Sequence, residues 1–368
     1  MDKPTYLQFN GNDFTNFITF ANSMNSRDKS KYSRVALLNI ENGVLICRAI
    51  DDIRNIIEYY VELYESEDPI TEPIAASISD LAALIKSTDS DVFKIRKCFN
   101  QYEFNILGDG WIPFKTIDAD VEKFKLNGDD TEIGKISSAK LRNAMSFVLG
   151  YTQDYTYSRD KYIQFNKTQM IVTSRLSSVI TNDEFVEMTL HRDDATMLKS
   201  LLKDNFDLSV IKSVGEVEKT VFVGPKFKFA ITASGIDMPS VKYINDLNNY
   251  IKVDCDELYR LTTLSEKYSA SKHILGVSIK NGKLNISIKN VLAAKHTSTV
   301  NSTLVGDVKD TSKEAEVSSQ NLLKTLKLFQ DKRSREVNIY ITDELVEKQN
   351  CILIFDENTQ ANINIYNR

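Results

Sequence analysis

The sequence predicts an α+β fold built from three similar domains, because one hairpin pattern recurs along its 368 residues. In this pattern, two runs of alternating apolar and polar residues flank a tight turn. Asn42-Gly43 and Asn281-Gly282 form two of the turns, since both residue types accept the positive φ of a type I′ turn. Asn166 begins the corresponding turn between them, 124 residues after the first Asn and 115 before the last. We therefore predict three domains of about 120 residues.

A short amphipathic helix precedes each hairpin. In every copy, apolar residues at helical spacing follow a potential N-cap residue, which predicts one buried helix face. The three apolar sets are Phe14, Phe17 and Met24 behind Asn12 or Asp13; Leu141, Met145 and Val148 behind Ser137 or Ser138; and Leu258, Leu261 and Leu264 behind Asp254 or Asp256.

Each third of the chain also has a second half of the same kind. A strand enters a helix behind a Ser or Asp cap, and two or three antiparallel strands follow. Six amphipathic helices of this kind must bury their apolar faces against antiparallel sheets. Strands that come as hairpins exclude a Rossmann or TIM-barrel pattern. The six strand–helix–strands units pair into domains 1–130, 131–245 and 246–368, with polar breaks at 122–135 and 244–252.

The composition is that of an ordinary globular protein, with 42% hydrophobic and 26% charged residues. The net charge of −5 gives no overall attraction to DNA or to an anionic membrane. A DNA-binding surface therefore requires basic residues segregated onto one face. No apolar run approaches the ~18 residues of a membrane span, and no secretory signal is visible. We expect a cytoplasmic protein without membrane contact.

The sequence offers no constellation of residues for catalysis. Its four cysteines and three histidines are scattered singly, which argues against a zinc site. No phosphate-binding loop, dinucleotide fingerprint, metalloprotease motif or hydrolase motif occurs. We expect no enzyme, no metal and no cofactor, with a metal-dependent enzyme acting on nucleic acid as the remaining alternative. Three adjacent carboxylate pairs are interpreted as caps or turn residues: Asp51-Asp52, Asp129-Asp130 and Asp193-Asp194.

A chain of six such units resembles the bacterial DNA sliding clamp, the β subunit family of DNA polymerase III, over essentially its whole length. The local markers are SSAKLRNAMSFV at 137–148, ASGIDMPSVKYI at 233–244 and KVDCDELYRLTTL at 252–264. Met238 stands where the family has an aromatic residue before proline. The resemblance implies a DNA-clamp fold in which two head-to-tail subunits form a ring of six domains. Antiparallel sheets lie outside, and helices line the ring.

The resemblance implies the function of a processivity factor. The ring encircles duplex DNA and tethers a DNA polymerase and a clamp loader, with no catalysis of its own. A topological hold needs only weak, non-specific attraction to phosphates inside the ring. We expect Lys199 and Lys203 to share an exposed helix face, and Lys324 and Lys327 to point away from the core. The full set of DNA-facing candidates is Arg27, Lys29, Lys140, Arg142, Lys199, Lys203, Arg260, Lys267, Lys324 and Lys327. Ordinary solvated helix faces are the alternative interpretation of these cations.

The family also carries an apolar cleft between its second and third domains, which binds short peptide motifs of replication proteins. This sequence departs from the family at both ends of the cleft. It lacks the Asp-Gly-His step before Arg175, and its final residues INIYNR lack the family's proline. The matching positions are Thr173, Arg175, Leu176, Pro239, Ile244, Ile363 and Ile365.

Ring closure requires that edge strands of the first and third domains pair between subunits. We predict that these strands lie near 99–107 and near 293–300. A clamp-like protein that binds or competes for replication proteins without encircling DNA is the alternative. The host replicon and the polymerase or loader served are not encoded in any motif we recognise.

Overall fold

A computed structural model describes residues 5–25, 34–64, 70–87, 91–105, 110–151, 161–174, 177–236, 247–269, 273–289, 295–310, 314–342 and 351–365. The α-helices among these residues are α1 (Gly11–Asn25), α2 (Ile78–Lys86), α3 (Ser138–Leu149), α4 (Arg192–Leu201), α5 (Cys255–Tyr268) and α6 (Ser319–Asp331). The strands up to residue 137 are β1 (Thr5–Asn10), β2 (Val35–Glu41), β3 (Val44–Ile50), β4 (Ile56–Val61), β5 (Leu63–Tyr64), β6 (Ile74–Ser77), β7 (Val92–Cys98), β8 (Gln101–Asn105), β9 (Trp111–Phe114) and β10 (Asp129–Ser137).

The remaining strands are β11 (Tyr162–Phe165), β12 (Gln169–Ser174), β13 (Ser177–Asn182), β14 (Met188–His191), β15 (Asp207–Val214), β16 (Lys219–Val223), β17 (Phe227–Thr232), β18 (Tyr250–Asp254), β19 (Ile274–Lys280), β20 (Lys283–Lys289), β21 (Lys295–Val300), β22 (Ser302–Val305), β23 (Ala315–Ser318), β24 (Glu336–Ile341), β25 (Cys351–Phe355) and β26 (Thr359–Asn364). Every pairing between these strands is antiparallel, so the predicted α+β architecture with antiparallel sheets is confirmed.

The chain divides into two compact units, each made of two separate stretches. The first unit contains Met1–Arg142 and Asp193–Ser234, and the second contains Asn143–Arg192 and Gly235–Arg368. The border between the units runs through α3 and past the first residue of α4. The division into three domains remains a prediction.

The first unit contains two sheets. One has five strands in the order β5-β1-β7-β8-β9, and the other has eight in the order β10-β15-β16-β17-β4-β3-β2-β6. The eight-stranded sheet joins two distant stretches of the chain where β17 pairs with β4, with Phe227 opposite Tyr59. Helix α1 packs on α2 and contacts β3 and β4 through its buried apolar side chains. Phe14, Phe17 and Met24 are all buried, as predicted.

The second unit also contains two sheets. One has nine strands in the order β22-β18-β24-β25-β26-β13-β12-β11-β14, and the other has four in the order β21-β20-β19-β23. The nine-stranded sheet again joins two distant stretches of the chain, where β26 pairs with β13 and Ile363 lies opposite Ser177. Helix α6 packs on α5, and its Leu322, Leu326 and Phe329 are buried as predicted.

The two large sheets have the same strand order. The order runs from β10 to β6 in the first unit and from β18 to β14 in the second. Each strand of one sheet corresponds to the strand at the same place in the other sheet, and the two also occupy the same place in their sequence repeats. The β4·β17 pair thus corresponds to the β13·β26 pair. The strands of the five-stranded and four-stranded sheets, taken together, follow the same order a third time. This order is interrupted between β9 and β21, which are edge strands of the two separate sheets.

The Asn-Gly hairpins form as predicted, whereas the third hairpin turns differently. Asn42 and Gly43 have φ of 52° and 76°, and Asn281 and Gly282 have φ of 53° and 66°, which are the left-handed values of a type I′ turn. At Asn166 the side-chain oxygen instead accepts the backbone N–H groups of the next residues, at 2.8 Å from Gln169 N. These hydrogen bonds to the Asn166 side chain close the turn without a glycine at positive φ.

The helix caps agree with the sequence prediction at α5 and correct it at α1. The carboxylate of Asp254 accepts the N–H of Glu257 at 2.7 Å, as one predicted alternative required. Helix α1, however, begins at Gly11, and the side chain of Asn10 accepts the N–H of Asp13 at 3.0 Å. Asn12 and Asp13 are therefore not its caps.

Helix α5 buries a different stripe from the predicted one. Leu258 is buried, but Leu264 is 40% exposed, and Thr262 and Ser265 are buried instead. An α-helix has 3.6 residues per turn, so each step of three residues falls short of a full turn. After two such steps in the same direction, Leu264 lies off the face that packs on the core. A four-then-three step keeps its residues on that face.

Candidate functional site

The DNA-facing candidates of α3 and α4 lie beside each other in the first unit. Arg142 on α3 donates from Nη1 to the carbonyl oxygens of Leu202 at 3.0 Å and of Lys203 at 2.5 Å. These carbonyls follow the C-terminal end of α4, where a cation is favoured by the helix dipole. Arg142 therefore has a structural role in addition to any contact with DNA.

Lys199 and Lys203 do not share a helix face, because α4 ends at Leu201. Lys199 is half-buried on the helix, and Lys203 is exposed two residues beyond its end. The backbone N–H of Leu202 donates to the carbonyl of Lys199, three residues earlier, at 3.2 Å. This tighter turn ends the helix before Lys203. The predicted four-residue pair is therefore wrong, although both residues remain candidates.

Lys324 on α6 does not point freely away from the core. Its ammonium donates to the backbone carbonyl of Tyr151 and lies 4.7 Å from the centre of the Tyr151 ring. A carbonyl and a ring face together hold a cation without a carboxylate. Lys327 is exposed as predicted, and Asp331 one turn later pairs with its ammonium at 3.0 Å and raises its pKa.

Arg260 and Lys267, like Lys203, are exposed cations of the set. Both are exposed on α5, and among the described residues neither side chain has a hydrogen bond or an ion pair. Lys140 is half-buried on α3. Arg27 and Lys29 lie outside the described residues.

Three of the cleft candidates fall on the described residues of the second unit. Thr173 is buried on β12 opposite Ser178 of β13, and β13 pairs in turn with β26, which carries the buried Ile363. Ile365 follows β26 and is half-buried. One strand thus separates Thr173 from Ile363, which places them on the same region of the nine-stranded sheet. Arg175, Leu176, Pro239 and Ile244 lie outside the described residues.

The two strands predicted to close a ring occupy different positions in their sheets, and their pairing between subunits stays a prediction. β21 lies at the edge of its four-stranded sheet, within the predicted range 293–300. β8, however, lies between β7 and β9, so the edge strand of the five-stranded sheet is β9. The signal that the sequence offered was Pro113, since proline lacks the N–H that an interior strand must donate and is confined to sheet edges.

The adjacent carboxylates have structural partners. Asp51 accepts the backbone N–H of Asn55 at 2.8 Å, and the buried Asp194 accepts the side-chain amide of the same Asn55 at 2.9 Å. In the described ranges no group of three or more His, Cys, Asp or Glu side chains is arranged to hold a metal ion. No helix within those ranges is long and apolar enough to cross a membrane.

Two of the four cysteines are poorly suited to act as nucleophiles. Burial raises the pKa of the Cys47 thiol well above its ordinary value. Burial, assisted by the charges of Asp256 and Asp254, raises the pKa of Cys255 to about 12. Because the thiolate is the reactive form, these two residues are structural.

Comparison with known proteins gives matches in structure and none in sequence. No protein-family model matches the chain, and no curated protein sequence matches it. The DNA polymerase III subunit beta of Pseudomonas aeruginosa matches it with a TM-score of 0.79 at 14% identity, over 99% of this chain and 100% of that one.

Two further solved structures match to a similar extent. The DNA polymerase III beta subunit of Thermotoga maritima has a TM-score of 0.77 at 10% identity, over 100% of both chains. A sliding clamp from Pseudomonas aeruginosa bound to griselimycin has a TM-score of 0.77 at 14% identity, again over 100% of both chains. The chain therefore has the DNA-clamp fold that its sequence predicted.

Proposed function

We propose that the chain is a sliding clamp, a processivity factor that encircles duplex DNA as a head-to-tail homodimeric ring and tethers replication proteins. The likeness to sliding clamps covers 99% or more of both chains. The observation that carries the proposal is the order of strands in the four sheets.

That order supports ring closure between two copies. The two large sheets each contain one joint between distant stretches of the chain, β4·β17 and β13·β26. The strands that occupy the corresponding positions in the third repeat are β21 and β9, and both lie at sheet edges. Pairing β9 of one subunit with β21 of the other completes a third large sheet, of nine strands. Since the two strands belong to different regions of the chain, the contact is heterologous, as a head-to-tail ring requires.

The dimer is tested by sedimentation, with Trp111 fluorescence as a second readout. Trp111 lies on β9 and is the only tryptophan of the chain. We expect twice the chain mass for the natural protein and the mass of one chain after His296→Glu with Thr297→Glu, because exposed charges on an edge strand oppose pairing. Thr131→Glu changes an exposed residue of another edge strand, β10, and is the matched control.

Encirclement of DNA is tested by topology. After loading, we expect the protein to stay on a nicked circular duplex and to leave when the circle is cut, because a ring is held by linkage and slides off an end. Equal retention on circular and linear DNA contradicts encirclement. A natural protein that sediments as a monomer points to the clamp-like protein that binds replication proteins without a ring.

We propose that short peptide motifs of the polymerase and clamp loader bind at Thr173, Arg175, Leu176, Pro239, Ile244, Ile363 and Ile365. The solved clamp bound to griselimycin supplies a probe for this cleft. Titration calorimetry with griselimycin should detect binding that Ile365→Glu weakens at least tenfold, because the charge replaces an apolar surface. Leu264→Glu, at an exposed leucine of α5 in the same unit, should leave binding unchanged. Binding that persists in Ile365→Glu removes this residue from the cleft.

We propose the remaining elements on the same basis. The chain works without catalysis and without a cofactor, in the cytoplasm, and its repeats form the three domains 1–130, 131–245 and 246–368. All ten DNA-facing candidates remain in the proposal, with the exposed Arg260 and Lys267 well placed for contact with phosphates and Lys324 less well placed, because Tyr151 holds its ammonium.

A further inference from the structure

The first unit contains a cavity of about 1080 Å³ that none of the proposed roles uses. Three segments far apart in the sequence enclose it: the β3–β4 connection, the segment 122–129 that leads into β10, and the β15–β16 connection. Close backbone approach shapes one wall, because a Cβ added at Gly215 lies 2.7 Å from the carbonyl oxygen of Asn127. Larger residues at Gly215 therefore displace that wall.

An ammonium group without a partner lies in the wall of the cavity. Lys219 on β16 is half-buried and, among the residues that the structure describes, its ammonium has no hydrogen bond and no ion pair. Burial lowers its pKa, the positive charge of Arg54 lowers it further, and Asp51 opposes both effects. A desolvated cation beside another cation gains most from a ligand that brings a carboxylate.

The neighbouring cation, Arg54, is held in place by a rigid turn. It has φ of 67°, a left-handed value that is uncommon outside glycine. Its backbone N–H donates to the carbonyl of Asp51 at 3.1 Å, and the backbone N–H of Asp51 in turn donates to the carbonyl of Asn55 at 3.0 Å. Its Nη1 lies 3.3 Å from a carboxylate oxygen of Glu216, but both side chains are largely exposed. An exposed pair of this kind contributes little to stability, so a ligand carboxylate can replace it.

The cavity also has an apolar surface. Ile56 is buried together with Val221 and Ala230, and the half-buried Ile50 packs against this cluster and lines the cavity. Val217 adds a half-buried apolar side chain from the β15–β16 connection. An apolar surface next to fixed cations is typical of sites that bind ligands with both characters.

We propose that this cavity binds an extended peptide segment of a partner protein, with an acidic side chain at Lys219 and Arg54 and a large apolar side chain against Ile50 and Ile56. Its volume equals the upper end of the ~300–1000 Å³ of pockets for single drug-sized molecules, which is room for several residues. Five acidic residues (Asp51, Asp52, Glu122, Asp129 and Glu216) and four basic residues (Arg54, Lys123, Lys125 and Lys219) line the cavity, which gives the lining one net negative charge. The site therefore favours a peptide with a single carboxylate, directed at Lys219 and Arg54, over any polyanion.

The repeat of the fold supports the same assignment. The β3–β4 connection corresponds to the β12–β13 connection, which carries Arg175 and Leu176 of the proposed peptide cleft. This step rests on the proposed function, whereas the chemistry of the cavity does not. The cavity thus corresponds to a second peptide site at the equivalent joint of the first unit.

The probe is a fluorescein-labelled hexapeptide with one aspartate among leucine and serine residues, and the same peptide with lysine in place of the aspartate is its charge-reversed control. Fluorescence anisotropy on the full chain, without DNA, should give a Kd below about 1 mM for the acidic peptide only. Lys219→Glu should weaken binding at least tenfold. Lys212→Glu, at an exposed lysine of the same sheet that does not line the cavity, should leave it unchanged.

Lys219→Met is the second variant, because it keeps the length of the side chain if the acidic replacement fails to fold. Absence of binding to the natural chain, equal loss in the Lys212 and Lys219 variants, or full competition by a tenfold excess of inorganic phosphate overturns the proposal. The same assay with Ile365→Glu separates the two sites, since that change should affect only griselimycin. Because the assay needs neither DNA nor a dimer, its failure is distinct from failure of the clamp function.

Discussion

Asn55 donates its side-chain amide to the buried carboxylate of Asp194 at 2.9 Å, across 139 positions of sequence. Its side-chain oxygen also accepts the backbone N–H of Thr232 at 2.9 Å, at the end of β17. Asn55 is fully buried. One amide therefore ties β4, β17 and α4 together where the eight-stranded sheet joins distant stretches of the chain.

Asn55→Ala should lower the free energy of unfolding by about 2–4 kcal/mol. The change leaves the Asp194 carboxylate and the Thr232 N–H buried without this partner, and a lost partner of a buried charge costs more than a neutral hydrogen bond. Urea denaturation followed by circular dichroism measures the effect. Asn22→Ala, at an exposed position of α1, should change it by less than about 0.5 kcal/mol. Equal stability of the Asn55 variant and the natural chain contradicts the role of this amide.

Arg260→Ala and Lys267→Ala should each reduce the salt dependence of DNA binding, whereas Lys324→Gln should not. Both α5 cations are exposed, but the Lys324 ammonium is held by the carbonyl and ring of Tyr151. Each lost phosphate contact reduces the slope of log K against log salt by about 0.9. The measurement is anisotropy of a labelled duplex between low and physiological salt. A reduced slope for Lys324→Gln as well would place that lysine on the DNA.

Glu72→Gln should make the stability of the first unit fall less as the pH is lowered. Hydrogen bonds from Lys97 and then Tyr102 hold the pKa of Glu72 at about 2. This value is lower than in an unfolded chain, where it is about 4.3, so the carboxylate stabilises the fold above pH ~4.5 and loses that effect as the pH falls toward 2. Since the Glu72 side chain is 40% exposed, we expect a loss of about 1 kcal/mol at pH 7.

Unfolding curves from pH 7 down to 2 measure this effect. The stability of Glu72→Gln should fall less steeply between pH 4.5 and 2 than that of the natural chain. Glu187→Gln, at an exposed position of the second unit, serves as the control and should follow the natural curve. Parallel curves for the natural chain and Glu72→Gln would show that this carboxylate does not couple to folding.

Only one of the four cysteines should react quickly with a thiol reagent in the folded protein. Cys47, Cys255 and Cys351 are buried, while Cys98 at the end of β7 is half-buried. The raised pKa values of Cys47 and Cys255 add a second barrier for those two. Ellman's reagent at pH 8 should titrate one thiol in the native state and four in urea, and Cys98→Ser should abolish the native signal. Rapid reaction of Cys255 would indicate local opening of α5.

Local sequence patterns predicted the repeating elements correctly where the pattern itself determines the backbone. The Asn-Gly pairs adopt the predicted positive φ, and the apolar faces of α1, α3 and α6 are buried. Leu264 was misplaced because a three-residue step was treated as equivalent to a four-residue step. The cap of α1 was misplaced by two residues, since several polar residues in a row compete for that position.

Features that depend on contacts between distant residues could not be predicted from the sequence. Whether β8 or β9 lies at a sheet edge depends on which strands pair across the sheet, and only Pro113 hinted at the answer. The position of Lys324 depends on Tyr151, which no helical pattern connects to α6. The cavity around Lys219 is formed by three separate segments, so no motif marks it.

The correspondence between β4·β17, β13·β26 and the pair of strands β9 and β21 has a consequence for how a ring opens. The first two joints are held at the high effective concentration of a single chain, whereas a joint between subunits has no covalent tether. In a ring of two copies there are two such untethered joints. When either of them separates, the other keeps the partner within reach, so the broken contact reforms as an intramolecular event. For the proposed ring we therefore expect that a loader opens a single seam and admits DNA while the assembly remains a dimer.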